Sequence, residues 1–407
     1  MKKYLLVVLF FSLNVRALEG TQNLETKLYQ KNLEYQAQND LVESKKALYK
    51  ASYSGFYPTL NAVGGWGQNK TDDLPAVEKG YLVYLEGRAN IFKGFKDHSV
   101  LKQREADLNI SQIDLEFIKR DLRLQMTELV SEMIYHHRLQ EILQEEFKTT
   151  QLQKQMAAKK VSAGLTGSVD NVEFDLRENE IEIEIKQIEQ LHKEGHQKLI
   201  KQFGEDILDT DLENIVFSSA EKSVSSMGDF KYENNINYKK SELLKNKFEL
   251  EKSEIKSEFM PSLDLTYAVG RITPSEDSPL KYNEYKYGIV LTVPLFSGFE
   301  TYYKNKSATQ QLASAEKLQN QKRIEIESDY SILKNKIKAI YSLYLINDKK
   351  LVNSQKYFDL TLGEYKRGIK NSPDLVGATD RLFLAKKKKY ELLKELEALK
   401  VKIENIF

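Results

Sequence analysis

The chain has 407 residues, with 61 Lys and Arg against 60 Asp and Glu, no cysteine and five histidines. The balanced charge excludes the clustered basic excess that nucleic acid requires, and the lack of cysteine excludes disulfides, thiol catalysis and thiolate-bound zinc. With 41% hydrophobic residues and only seven prolines, the composition points to an ordered, largely helical chain.

The N-terminus reads as an export signal over residues 1–17. Met1-Lys2-Lys3 is a basic start, Tyr4 to Val15 is an apolar run, and Val15-Arg16-Ala17 places small residues where a signal peptidase cuts. The run is well short of the roughly twenty residues a membrane helix needs. No later stretch is long and apolar enough either, so any membrane-embedded part must be built of strands.

Six of the seven prolines and ten of the nineteen glycines fall in residues 55–94 and 259–299. Helices cannot run through those windows. The windows also repeat. Phe56-Tyr57-Pro58-Thr59-Leu60 matches Phe259-Met260-Pro261-Ser262-Leu263, and Ile91-Phe92-Lys93-Gly94-Phe95 matches Leu295-Phe296-Ser297-Gly298-Phe299. Gly164-Leu165 with Asp170 matches Gly368-Ile369 with Asp374. A common spacing of about 204 residues, in one order, indicates tandem duplication. The expected organisation is a first repeat over 18–202, a linker over 203–235 and a second repeat over 236–407.

Each repeat is expected to open with a β-hairpin, over about 58–93 and 261–297. Tyr81, Val83, Leu85, Gly87, Ala89 and Ile91 alternate with Leu82, Tyr84, Glu86, Arg88 and Asn90. Tyr285, Tyr287, Ile289, Leu291, Val293 and Leu295 repeat the apolar face. Such period-two alternation gives a sheet with one apolar and one polar face. Strands of about ten residues suit a tilted membrane strand, and Tyr57, Trp66, Tyr81, Tyr267, Tyr285 and Tyr287 cluster near segment ends as interface girdles do. A soluble sheet half covered by helices would show the same alternation. Four strands cannot close a barrel, so strands in a membrane must be shared between chains, with two chains as the floor.

Residues 97–158 and 299–362 contain neither Gly nor Pro, so each is expected as one long helix. Leu101, Leu108, Leu115, Leu122 and Leu129 recur every seven residues, and the register resumes at Leu143 with His136 between. Breaks at Gly164–Ser168 and Gly368–Pro373 precede return helices over about 170–202 and 374–405. In the last of these, Leu375, Leu382, Leu396 and Ile403 keep the heptad. Antiparallel helical hairpins packed along their length follow.

In this order, the duplicated Phe-x-Pro-x-Leu motifs, apolar strands, long helices and Gly-Leu/Gly-Ile turns resemble the TolC-like outer membrane efflux proteins, over nearly the whole mature chain. The resemblance implies a mainly α protein with membrane β: a homotrimer whose chains give four strands each to one twelve-stranded barrel in the outer membrane. That barrel is continued by a long periplasmic α-helical barrel. It also implies an exit duct of a tripartite efflux or type I secretion system, fed by an inner-membrane transporter through a periplasmic adaptor. The implied periplasmic gate is Asp374, Tyr365 and Lys370, with Asp170 as the first-repeat counterpart. Gly377 stands where the family pattern has a second aspartate. Asp374 also suits the N-terminal turn of a helix, as a cap.

The turns Gly164, Leu165, Gly368 and Ile369 are the candidate adaptor contacts, because an apolar residue at a hairpin end has little of its own chain to pack on. A hydrophobic contact closing the helix end is the alternative there. Val83, Leu85, Ile289, Leu291 and Val293 are the candidate lipid-facing residues. No nucleophile–base pair or phosphate loop is present, and no catalytic role, cofactor or metal is expected. His192 and His196 are read as a solvated helix face, and Lys386–Lys389 likewise. The competing reading of the whole chain is a periplasmic coiled-coil scaffold with a soluble sheet.

Overall fold

The computed structural model describes residues 29–69, 78–204, 217, 220, 230–273 and 282–406. The export signal, most of the 203–235 linker and the hairpin tips at 70–77 and 274–281 lie outside these residues. The elements are α1 (Leu33–Ala51), β1 (Thr59–Asn69), β2 (Glu78–Lys93), α2 (Lys96–Ser162), α3 (Val169–Phe203), α4 (Ile236–Ser257), β3 (Ser262–Thr273), β4 (Tyr282–Thr292), α5 (Glu300–Lys366) and α6 (Ser372–Glu404). The two 67-residue helices begin at Lys96 and Glu300, at the spacing of the repeated motifs.

Helices α1 and α4, one before each hairpin, were not legible in the sequence. Val42 is the only buried residue of α1, and Ile236 and Ser257 are the only ones of α4. A helix that buries so little carries no strong apolar period.

The described residues form two compact units that cut across the repeats. One holds those up to Gln36, Phe117–Asn235 and those from Glu325 onward; the other holds Ala37–Glu116 and Ile236–Ile324. Each unit therefore draws on both repeats. The expected repeats divide the sequence one way, and packing follows a different division.

The second unit contains the sheet, an antiparallel meander in the order β1-β2-β3-β4. At both strand-to-helix junctions the chain passes through two consecutive left-handed residues: Gly94 and Phe95 at φ 60° and 66°, Gly298 and Phe299 at 64° and 66°. The glycines alone do not make the turn. A phenylalanine held left-handed costs about 1–2 kcal/mol, and each is braced edge-on by another ring, Phe92 on Phe95 and Phe296 on Phe299, with centroids 5.5 Å apart in both cases. At Gly94 a Cβ would stand 2.6 Å from Met260 Cβ, so close packing also demands glycine there.

The first unit is helical, and the expected heptads form its core. Leu122, Leu129, His136 and Leu143 are buried, and the series runs on through Thr150 and Ala157. On α3 the seven-residue series is Phe174, Ile181, Ile188 and Gly195, and on α6 it is Leu375, Leu382, Leu396 and Ile403, all buried. A second α6 series, Ala378, Ala385, Leu392 and Leu399, is buried beside it. Seven-residue spacing keeps one stripe of each helix facing its neighbours.

A buried ionic cluster interrupts this apolar stripe. Glu146 of α2 is fully buried and meets Arg177 of α3 and, at 3.1 Å, Lys387 of α6. Arg177 also reaches Glu180 at 2.8 Å and Asp380 at 3.0 Å, and Lys387 reaches Glu184 at 2.6 Å. Burial raises the Asp380 carboxyl above the usual range, opposed by the Arg177 charge. Removing one partner of a buried pair strands the others. Glu146→Ala is expected to cost about 3 kcal/mol, toward the low end because Arg177 and Lys387 keep their other carboxylates. Thermal unfolding of the purified variant against wild type measures this.

Candidate functional site

Two surfaces carry the functional candidates, one in each unit. On the sheet, strand register decides which side chains share a face. Leu60, Ala62 and Gly64 of β1 stand opposite Gly87, Leu85 and Val83 of β2. Gly87 and Leu85 stand opposite Tyr267 and Val269 of β3, and Leu263, Leu265, Tyr267 and Val269 stand opposite Leu291, Ile289, Tyr287 and Tyr285 of β4. The apolar positions of all four strands thus form one continuous face. It is bare in the protomer: Val83 is 64% exposed, Ile289 66%, Leu291 63% and Tyr287 83%.

Two details refine the expected lipid-facing set. Val293 lies just past the end of β4, and Leu291 is its penultimate residue, so Leu85, paired on both sides, is the mid-sheet position. The register shifts between Asn90 and Phe92. Ile91 is therefore the bulged extra residue, and Phe92 takes the place opposite Leu263 that alternation assigned to Ile91.

The opposite face is polar. Asn61 stands opposite Glu86, and Arg88 and Asn90 converge on Asp264 at 2.6 and 2.7 Å. The Asp264 side chain is almost completely covered by this pairing. One face thus suits hydrocarbon and the other suits water.

At the helical tips, the two turns share one backbone design. Gly164 is left-handed at φ 70°, its N–H bonds Val161 O at 3.0 Å, and Leu165 N–H bonds Lys160 O at 2.9 Å. Gly368 is left-handed at φ 80°, its N–H bonds Tyr365 O at 3.0 Å, and Ile369 N–H bonds Glu364 O at 3.0 Å. These are Schellman ends, in which the residue after glycine usually makes an apolar contact with the residue five before it. Here that residue is Lys160 or Glu364, and Leu165 and Ile369 remain 73% and 65% exposed. The helix-closing apolar contact is absent at both tips, and both side chains face solvent in the protomer.

The return helices begin differently. In α6, Asn371 Oδ1 accepts the Asp374 N–H at 3.1 Å and Asp374 Oδ2 accepts the Asn371 N–H at 3.5 Å, a reciprocal capping box with Pro373 in the first turn. Asp374 also pairs with Lys370 at 3.7 Å. In α3, Ser168 makes no side-chain cap bond, and the Asp170 N–H bonds the Gly167 carbonyl instead. The two aspartates are thus not structural equivalents. The capping box was readable as Asn-x-x-Asp before an apolar run.

Tyr365 is a core residue of the tip. It is fully buried with Ala157, Phe174 and Leu375, one residue from each of α2, α3, α5 and α6. Phe174 meets it edge-on, Lys160 Nζ lies 3.7 Å from its ring centroid and also donates to its carbonyl, and its hydroxyl is 3.4 Å from Ser372 Oγ. Burial pushes its hydroxyl pKa up, the Ser372 hydrogen bond opposes this, and the Asp170 charge adds to it. Lys160 and Phe174, which tie the first-repeat tip to Tyr365, carried no sequence signal, because each sits in an otherwise ordinary helical pattern. At Gly377 a Cβ would meet no atom within 4 Å, so packing in the protomer does not require glycine there.

Losing the Asn371 cap leaves a first-turn N–H unsatisfied. Asn371→Ala is expected to cost about 1 kcal/mol and to raise amide hydrogen exchange locally at the start of α6, leaving α3 unchanged.

The family described as outer membrane efflux protein matches residues 253–403. Among curated proteins none matches the sequence. The fold is similar to that of the outer membrane protein VceC from Vibrio cholerae, at TM-score 0.80 and 11% identity, covering 96% of both chains. It is similar to the CmeC outer membrane channel of Campylobacter jejuni at TM-score 0.77 and 13% identity, covering 96% of this chain and 85% of that one. It is also similar to the open state of the MtrE outer membrane channel of Neisseria gonorrhoeae at TM-score 0.76 and 13% identity, covering 95% and 88%. The outer membrane efflux protein family thus matches part of the chain's second half, and the fold along nearly its whole length is that of outer membrane channels.

Proposed function

We propose that three copies of the chain form the exit duct of a tripartite efflux or type I secretion system. The carrying observation is the four-stranded sheet, with one bare apolar face, one polar face and two outer edges. In lipid an unpaired backbone edge costs several kcal/mol per group. Pairing β1 of one protomer with β4 of the next satisfies both edges, and three copies close a twelve-stranded barrel. The apolar face then meets lipid and the face bearing Arg88, Asn90 and Asp264 lines the lumen. The uncovered apolar face weighs against a soluble scaffold, which would bury it.

In this reading the duct moves cargo passively, and an inner-membrane pump supplies the energy through a periplasmic adaptor. Exposed Leu165 and Ile369 are the adaptor contacts. Asp374, presented at the tip with Lys370, forms a ring of three carboxylates about the trimer axis. Tyr365 and Asp170 support that ring from behind. The decisive experiment is the native mass of protein extracted in detergent from outer membranes. About three protomers after subtracting detergent supports the duct; a soluble periplasmic monomer overturns it.

Leu85→Arg sets a charge on the lipid face at mid-sheet. It is expected to destabilise the inserted barrel by about 2–4 kcal/mol, read as loss of heat-resistant trimer on gels.

Asp374→Asn keeps a side-chain acceptor for the capping box and removes the charge. Planar-bilayer recordings should show weaker cation preference with an unchanged melting temperature. Gly377→Asp, for which the protomer has room, is expected to act in the opposite direction, lowering conductance and strengthening cation preference.

A further inference from the structure

Four of the five histidines, His136, His137, His192 and His196, gather where α2 packs on α3. Read from spacing alone, His192 and His196 were a solvated helix face. In the structure their Nε2 atoms are 3.3 Å apart and their rings stand at 82° with centroids 4.9 Å apart. A tetrahedral zinc held at about 2.0–2.1 Å by two imidazole nitrogens sets those nitrogens about 3.3–3.4 Å apart. The two nitrogens are therefore already at the spacing of a chelate across one helical turn. Without metal, the same distance is an imidazole–imidazole hydrogen bond.

The turn they span is also the one that most needs fastening. Gly195 lies inside it, and a Cβ there would stand 2.8 Å from Met133 Cγ. The α2–α3 contact thus requires a residue that holds a helix poorly. A metal bridging positions 192 and 196 closes that turn without adding bulk at 195.

We propose that His192 and His196 bind one borderline transition-metal dication, of the Zn2+ or Cu2+ class, through their Nε2 atoms. Among the described residues no group of three or more histidine, aspartate or glutamate side chains is arranged to hold a metal, so the described residues supply two ligands. His137 stands beside the pair, its ring 6.4 Å from that of His192 and its Nε2 3.7 Å from Glu141. Imidazole donors favour Zn2+ and Cu2+ over Mg2+, which prefers oxygen. The inference does not depend on the duct reading.

The test uses tag-free full-length protein in detergent. Calorimetric titration with Zn2+ is expected to show one site per protomer, silent to Mg2+. His192→Gln and His196→Gln are each expected to weaken binding at least tenfold, and His98→Gln, at the one histidine outside this cluster, to leave it unchanged. Zn2+ affinity unaltered in His196→Gln overturns the proposal, as does the lack of saturable uptake by wild type. Electron paramagnetic resonance of Cu2+ on the unmodified chain gives a check that needs no variant. Hyperfine coupling to two imidazole nitrogens supports the chelate, and a spectrum of oxygen ligands alone overturns it.

Discussion

Unpaired backbone at the outer edges of β1 and β4 is the constraint on which the proposed assembly rests. Each strand interior is satisfied by its neighbours in the meander, but an edge in hydrocarbon has no water to turn to. The apolar face makes lipid the favourable surroundings, and lipid makes the open edge intolerable. Burial of the face and pairing of the edges therefore cannot be met by one chain. In the proposed duct, oligomerisation follows from the strand count, before any particular contact between protomers is considered.

The helical unit solves a different problem. Its core is a set of seven-residue stripes, and a uniform apolar stripe specifies register poorly, because sliding by a heptad offers a similar surface. Glu146 gives the stripe a unique position. It finds its cations only where Arg177 of α3 and Lys387 of α6 come level with it. Buried ion pairs contribute little net stability against well-packed apolar residues. Their effect here is to make the wrong alignments costly. At the tips, Tyr365 does comparable work with packing, gathering residues of four helices about one ring.

The two matching halves of the chain share some local structures and differ in others. Both repeats keep the left-handed Gly-Phe junction and its ring brace, and both keep the Schellman turn with an exposed aliphatic residue after glycine. The starts of the return helices diverged. The second repeat has Asn371 and Asp374 in a reciprocal cap, and the first has Ser168 with no side-chain bond. The charged, capped tip is the one whose aspartate was proposed for the gate.

Much of this was legible in the sequence where the signal is periodic and local. Alternation placed Leu85 and Ile289 on one face, seven-residue spacing placed Leu382 and Leu396 in the core, and glycine after a breaker-free run marked the tips. What depended on tertiary structure is what depends on partners far along the chain. No local pattern distinguishes buried Glu146 from its solvated neighbour Glu145, because the difference is made by Arg177 and Lys387. Alternation could not reveal the bulge at Ile91, since the extra residue shows only against β3. The spacing of His192 and His196 was visible, but the 3.3 Å between their Nε2 atoms was set by rotamers within the packed helix pair. Sequence determines periods and turns because those are properties of the backbone; the fate of a polar side chain is decided by what packing brings to it.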